Sequence, residues 1–149
     1  MESNASVVHF YKYGLILIKD NKILLCEPYA FTDLILPGGT KEGDESHVEN
    51  LLREVEEELG VQAVLDLESL KYLDNFKDVA AGRTYRIVEI EAYLGNVTGK
   101  LTASSEIKNL RWFSPNDDWN VLSPIIRNKI LPYLLENNYL SRPQGQNEL

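Results

Sequence analysis

The chain has 149 residues, of which 44% are hydrophobic, 9% aromatic and 26% charged, the size and balance of one domain able to bury a real core. A net charge of −8, from 15 basic and 23 acidic residues, opposes general affinity for nucleic acid polymers and for anionic membranes. One cysteine, Cys26, excludes an internal disulfide and fits a reducing compartment.

The N-terminal MESNAS has neither the basic start nor the apolar stretch of a secretory signal, and no run approaches the ~20 apolar residues of a membrane span. A cytoplasmic location is the expectation. Residues 1–140 read as a single domain, and the polar SRPQGQNEL at 141–149 as a frayed tail.

Along the chain, the apolar stretch within His9 to Lys19, the pair Asp20-Asn21 and then Lys22 to Cys26 predict a β-hairpin with a two-residue turn. Cys26, in the run KILLCEP, is expected in the core. Leu34 to Leu36 predicts a short strand leading into Pro37-Gly38-Gly39. Ser46 with Glu49 three positions later is a capping-box pattern and Gly60 a C-terminal stop, so a helix is expected from His47 to Leu59. Its apolar stripe is Val48, Leu51, Leu52, Val55 and Leu59.

Beyond that helix, Ala63 to Asn75 reads as a long, irregular extended segment. Arg83 to Leu94 predicts a strand with Val88, Ile90, Ala92 and Leu94 on one face. Leu110 to Phe113 predicts another. Ser123-Pro124 then caps a second amphipathic helix, broken or kinked near Pro132. Mixed strands with two separated helices imply an α/β (α+β) fold, a sheet with helices packed on its faces.

The chemistry concentrates in the first helix. At about 100° per residue, Glu54, Glu57 and Glu58 lie away from the apolar stripe and share one patch. Glu54 and Glu58 are an i,i+4 like-charge pair that costs the helix about a few tenths of a kcal/mol. A divalent cation would reverse that sign, and clustered carboxylate oxygens suit Mg²⁺, which completes its shell with water and substrate phosphate oxygens. A solvated acidic face is the alternative. Gly38 and Gly39 mark either an ordinary turn or a close backbone approach to a ligand. Arg53 lies one turn from Glu49 and Glu57 and can hold a carboxylate through a fork of hydrogen bonds.

Residues Gly39 to Val61 read GTKEGDESHVENLLREVEEELGV. The segment matches G-x5-E-x7-R-E-U-x-E-E-x-G-U, with U a bulky aliphatic, at Gly39, Glu45, Arg53, Glu54, Val55, Glu57, Glu58, Gly60 and Val61. A chance match to its fixed positions is on the order of one in 10⁵. The segment resembles the signature of the Nudix hydrolases, strictly over the box and by element order elsewhere. The resemblance implies a Nudix fold, an α/β/α sandwich around a mixed β-sheet. It also implies Mg²⁺ or Mn²⁺ bound by Glu54, Glu57, Glu58 and the Gly38 carbonyl, with Arg53 supporting the carboxylates.

By the same resemblance Glu106, ahead of the strand carrying Trp112, is a candidate metal ligand or general base, with an exposed loop carboxylate as the alternative. Glu57 and Glu106 are both candidates for the base. Tyr29 and Phe31 either stack on a nucleobase or cover the sheet edge, and Arg83, Tyr85 and Lys41 either reach phosphates or are solvated. His47 reads as a surface residue.

The implied reaction is hydrolysis of a phosphoanhydride in a nucleoside diphosphate linked to another group. No proline occurs between Pro37 and Pro115, so the proline that marks many ADP-ribose-cleaving relatives is absent, as is the SQPWPFPxS array of NADH-cleaving ones. By elimination and small size the expected substrate is a nucleoside triphosphate, oxidised forms included, giving monophosphate and pyrophosphate. Dinucleotides, nucleotide sugars and ADP-ribose are alternatives, as are a non-catalytic nucleotide-binding module and an acidic interaction domain. Relatives often pair, so a homodimer is the one protein partner the resemblance suggests.

Overall fold

The computed structural model describes residues 8–81 and 83–142, apart from the side chains of residues 83–85. In order it contains β1 (Val8–Ile16), β2 (Ile18–Lys19), β3 (Lys22–Pro28), β4 (Gly38–Thr40), α1 (His47–Leu59), β5 (Val64–Ala80), β6 (Arg83–Thr98), β7 (Ile107–Phe113) and α2 (Leu131–Glu136). A 3₁₀ turn occupies Trp119–Val121 and a π-helical turn Ile126–Ile130.

The hairpin turns at Asp20-Asn21, with φ of 54° and 60°, the left-handed pair that two-residue loops favour. Its arms are unequal. Only β2 pairs with β3, while β1 runs parallel to β6 and antiparallel to β4. The chain thus feeds two sheets, a mixed one in the order β4-β1-β6-β5 and an antiparallel one in the order β2-β3-β7.

Burial on both faces explains the unbroken apolar runs of β1 and β3. Ile16, Ile23 and Leu25 enter one core with Phe113, Ile126, Ile130 and Leu134. Their neighbours Leu15, Leu17, Leu24 and Cys26 enter a second core with Leu51, Val55 and Leu59 of α1. The two helical segments therefore cover opposite faces of the strands, and the α/β/α layering around a mixed sheet is present. Among the described residues, no helix is long and apolar enough to cross a membrane.

Several elements differ in detail from the sequence reading. Leu34 to Leu36 is not a strand but carries single bridges, Ile35 to Cys26 and Leu34 to Leu122; the strand forms at Gly38–Thr40, inside the glycine loop. The irregular segment after α1 is one 17-residue strand with three register shifts. Leu52 is 42% exposed and leaves the apolar stripe, because the buried arc of α1 is shifted toward Asn50, Glu54 and Glu58.

Ser123 opens the second helical segment through its carbonyl, which accepts from the Ile126 and Arg127 amides, and its hydroxyl caps nothing. The break near Pro132 takes the form of the π-helical turn just before it, where the Leu131 amide reaches back to the Ile126 carbonyl. Proline lacks the amide that would continue the ordinary ladder. At the C-terminus, Ser141 is tied to Asn21 by two hydrogen bonds of 2.7 and 2.9 Å; residues 143–149 of the expected tail lie outside the described residues.

The facing of α1 is measurable. Leu51→Ala, at a site 0% exposed, is expected to cost about 2–5 kcal/mol of unfolding free energy, whereas Leu52→Ala changes it by about 0.5 kcal/mol or less. Denaturant titration of both variants checks this.

Candidate active site

The site forms where α1, the glycine loop and the segment before β7 meet. The capping box holds the start of α1, with Ser46 Oγ accepting from the Glu49 amide at 3.1 Å and Glu49 Oε1 from the Ser46 amide at 2.9 Å. At the other end, the Thr102 amide donates to the Leu59 carbonyl at 2.8 Å and the Ser104 amide to the Glu58 carbonyl at 3.2 Å. A helix end leaves such carbonyls without intrahelical partners. Satisfying them draws the segment around Ser104 against α1 and delivers Glu106 to its acidic face.

Oxygens of Glu54, Glu58 and Glu106 lie within 4.8 Å of one another. Glu54 and Glu58 are buried, while Glu106 is on the exposed side. The Gly38 amide donates to Glu58 Oε1 at 2.9 Å. Two glycines make this approach feasible. A β-carbon on Gly38 (φ 132°) would stand 2.1 Å from the Tyr13 carbonyl oxygen, and one on Gly39 would stand 2.1 Å from Glu54 Oε2.

Electrostatics follow from the burial. Removal from water pushes Glu58 up to about 8; the Gly38 amide opposes this, Glu54 and Glu106 add to it, and Lys12 opposes it. Burial also raises Glu54, against the pull of the Arg53 charge. Cys26 is fully buried, and burial, reinforced by Glu58 and Glu106, pushes its thiol up. Like charges crowded away from water disfavour ionisation, and a hard divalent cation is the counter-charge such a donor set fits.

Arg53 organises the supporting layer. Its guanidinium grips Glu45 at 3.0 and 3.1 Å and reaches Glu54 Oε2 at 3.1 Å and Glu57 Oε1 at 3.4 Å. The Arg53 hydrogen bonds hold Glu45 below the usual carboxylate range. Asn50, fully buried, donates to Glu45 Oε1 and to the Thr40 carbonyl, both at 3.0 Å. The sequence reading overlooked Asn50; an amide beside the apolar positions of the helix was its only signal.

The sequence candidates separate as follows. Glu54, Glu58 and Glu106 converge, with the Gly38 amide among them. Glu57 stands apart from this group, 48% exposed and turned toward Arg53. Phe31 lines a cavity of about 460 Å³ with Phe10, Leu36, Val88, Ile90 and Gly38, whereas Tyr29 is 69% exposed and outside that lining. The Tyr29 backbone does serve the site, because its amide donates to the Glu106 carbonyl at 3.0 Å.

The side chains of Arg83 and Tyr85 lie outside the described residues. Lys41 sits over the Tyr13 ring at 5.6 Å. His47 is not simply a surface residue, since it stacks on Tyr93 at 4.4 Å. Lys12, also missed in the sequence, lines the same cavity as Phe31 and carries charge toward Glu58.

The fold has counterparts among known proteins. A family model for the NUDIX domain matches residues 9–131. In fold, the chain resembles the ORF135 protein of E. coli, at 25% identity and a TM-score of 0.65 over 97% of this chain and 100% of that one. It also resembles the MutT protein of Methanosarcina mazei, at 21% identity and a TM-score of 0.64 over 87% and 96%. A third likeness is a bifunctional NMN adenylyltransferase/ADP-ribose pyrophosphatase of Francisella tularensis complexed with AMP and a Mn ion, at 16% identity and a TM-score of 0.62 over 89% and 43%. No curated protein sequence matches. The chain belongs to the Nudix family.

The raised carboxyl has a consequence for stability. Glu58 titrates near 8 in the fold against an ordinary 4.5, so the folded state holds a proton that the unfolded chain has lost between those values. Its contribution to stability is full below about pH 4.5 and is lost as pH rises through 8. The metal-free protein is therefore expected to melt progressively lower from pH 6 to pH 9. Glu58→Gln should flatten that decline and raise Tm at the alkaline end by about 2–6 °C, read by calorimetry in chelator.

Proposed function

We propose that the chain hydrolyses nucleoside triphosphates, oxidised ones included, to the monophosphate and pyrophosphate. The observation that carries this is the contiguity of two features. Gly38 binds Glu58 through its amide and also lines the cavity of about 460 Å³, so a ring held in the cavity extends its phosphates toward the carboxylates. The mostly apolar walls with a few polar groups are the usual composition of a small-molecule site.

Glu54 and Glu58, with Glu106 or Glu57 and the Gly38 carbonyl, would hold the divalent cation, Mg²⁺ or Mn²⁺. When bound, it supplies charge neutralisation at the phosphate oxygens and acidifies a nearby water. Arg53 fixes the orientation of Glu54 and Glu57. Lys12 offers positive charge between cavity and carboxylates. The proton of the attacking water passes to a carboxylate on the open side, for which Glu106 and Glu57 are the candidates, while a general base of this kind contributes about 10²–10⁴-fold.

A second reading, hydrolysis of a substrate with a group at each end such as a dinucleotide or nucleotide sugar, is favoured by a second cleft of about 530 Å³. It is lined by Tyr11, Tyr72, Asn75 and Glu89 and shares Lys12 and Tyr13 with the first cavity.

Release of phosphate and pyrophosphate across nucleoside triphosphates, dinucleotides, nucleotide sugars and ADP-ribose, with and without Mg²⁺, tests the proposal. Pyrophosphate from triphosphates is the expected product, and turnover is expected to vanish in chelator. Preference for a two-ended substrate would replace the first reading with the second. Glu57→Gln and Glu106→Gln are each expected to fold normally, and the base is the one whose loss lowers kcat by about 10²-fold or more. Unchanged turnover in Glu57→Gln would remove that residue from the site.

Because protons compete with a cation for Glu58, Mg²⁺ should raise Tm little at pH 6 and progressively more toward pH 9. Thermal shifts at fixed Mg²⁺ across that range check the sign.

A further inference from the structure

Asn50 carries an arrangement that the box pattern leaves open. It is one of the seven unspecified positions between Glu45 and Arg53, on the buried side of α1 and 0% exposed. Its Nδ2 donates to Glu45 Oε1 and to the Thr40 carbonyl, both at 3.0 Å, and reaches the Gly39 carbonyl at 3.5 Å. Among the described residues its Oδ1 has no hydrogen-bond partner. A buried amide with one polar atom unsatisfied is a net cost to the fold if it only fills space. The reason for it lies in what its donor side holds.

Glu45 is the hub of that side. Its Oε1 accepts from Asn50 at 3.0 Å and from Arg53 Nη2 at 3.1 Å, and its Oε2 from Arg53 Nε at 3.0 Å. The terminal torsion of a glutamate is broad, and the Arg53 side chain is 31% exposed, so the fork by itself leaves both partners room to turn. Asn50 removes that room. Anchored by the helix and by the Thr40 carbonyl, it pins one carboxylate oxygen and keeps the pair in the plane of the guanidinium. The remaining nitrogen, Nη1, then donates to Glu54 Oε2 at 3.1 Å and to Glu57 Oε1 at 3.4 Å.

We propose that Asn50 is a positioning residue for the cation site: through Glu45 and Arg53 its amide fixes the orientation of the Glu54 carboxylate and so sets the affinity of the cluster for a divalent cation. This rests on the reading of Glu54, Glu58 and Glu106 as ligands of that cation. The donors of Asn50 are spent on Glu45 and the glycine loop, so the effect is exerted through Arg53 and not by contact with the ion. Its bond to Thr40 acts in the same direction, because it holds the strand that begins at Gly38 against α1. Partners that orient a ligand are worth about 10–100-fold in metal affinity without meeting the metal.

The test compares wild type with Asn50→Ala and with Asn50→Leu, which keeps the branched shape of the side chain and lacks its donors. Mn²⁺ is titrated into each protein without substrate, and the free ion is followed by electron paramagnetic resonance. In the metal-free proteins, NMR reads the exchange of the Arg53 Nε–H with water and calorimetry reads Tm. Affinity for Mn²⁺ is expected to fall about 10–100-fold in both variants, exchange of the Arg53 Nε–H to quicken as Glu45 turns away, and Tm to change little.

A role in packing alone would lower Tm and leave the other two readouts unmoved. That result, weaker Mn²⁺ binding with an unmoved Arg53 signal, or failure of both variants to fold would overturn the assignment. A wild type that binds no Mn²⁺ would overturn it together with the cation reading of the cluster. A wild type that binds Mn²⁺ and cleaves no phosphoanhydride would sink the hydrolase reading alone, and the affinities of the variants would still decide for Asn50.

Discussion

The arrangement depends on keeping the Glu58 carboxylate almost entirely out of water. Only 2% of this residue is exposed, and a single backbone amide, that of Gly38, meets the oxygen turned toward the glycine loop. Burial of this kind disfavours the charged form by far more than one hydrogen bond restores. What holds it is the apolar side of the same helix. Leu51, Val55 and Leu59 are locked into the core beneath α1, and Glu58 cannot reach solvent without withdrawing them.

Around that residue, separate parts of the chain solve one another's problems. The open carbonyls at the end of α1 find amides in the segment carrying Thr102 and Ser104, and the same contact brings Glu106 to the cluster. Gly39 leaves space that any side chain would take from Glu54. Arg53 offsets the crowding of acids by neutralising Glu45 and turning Glu54. Removing a member of such a network leaves its partners buried and unsatisfied, so its parts are not independent.

Membership in the Nudix family accounts for the box and the layered fold, and a cavity lies beside Gly38. Its wall draws on β1, β6, the glycine loop and the start of the second helical segment. On the proposed reading, substrate preference is set by elements other than the helix that carries the carboxylates.

From sequence alone, the ends of α1, the hairpin turn and the break near Pro132 were legible, because each follows from residues a few positions apart: a capping box, a left-handed pair, a missing amide. The acidic patch was legible for the same reason, as helical spacing puts Glu54 and Glu58 on one side. Tertiary structure decided the rest. Glu57 points outward while Glu54 and Glu58 are buried, since the margin of the buried arc is set by what packs on the helix and not by its period. Glu106 joins the cluster, Phe31 lines the cavity, Tyr29 does not, and Asn50 and Lys12 come to stand beside the carboxylates. Each of these depends on strands and loops distant in the chain coming to rest against one another, and no local spacing encodes which groups will then be left facing the same space.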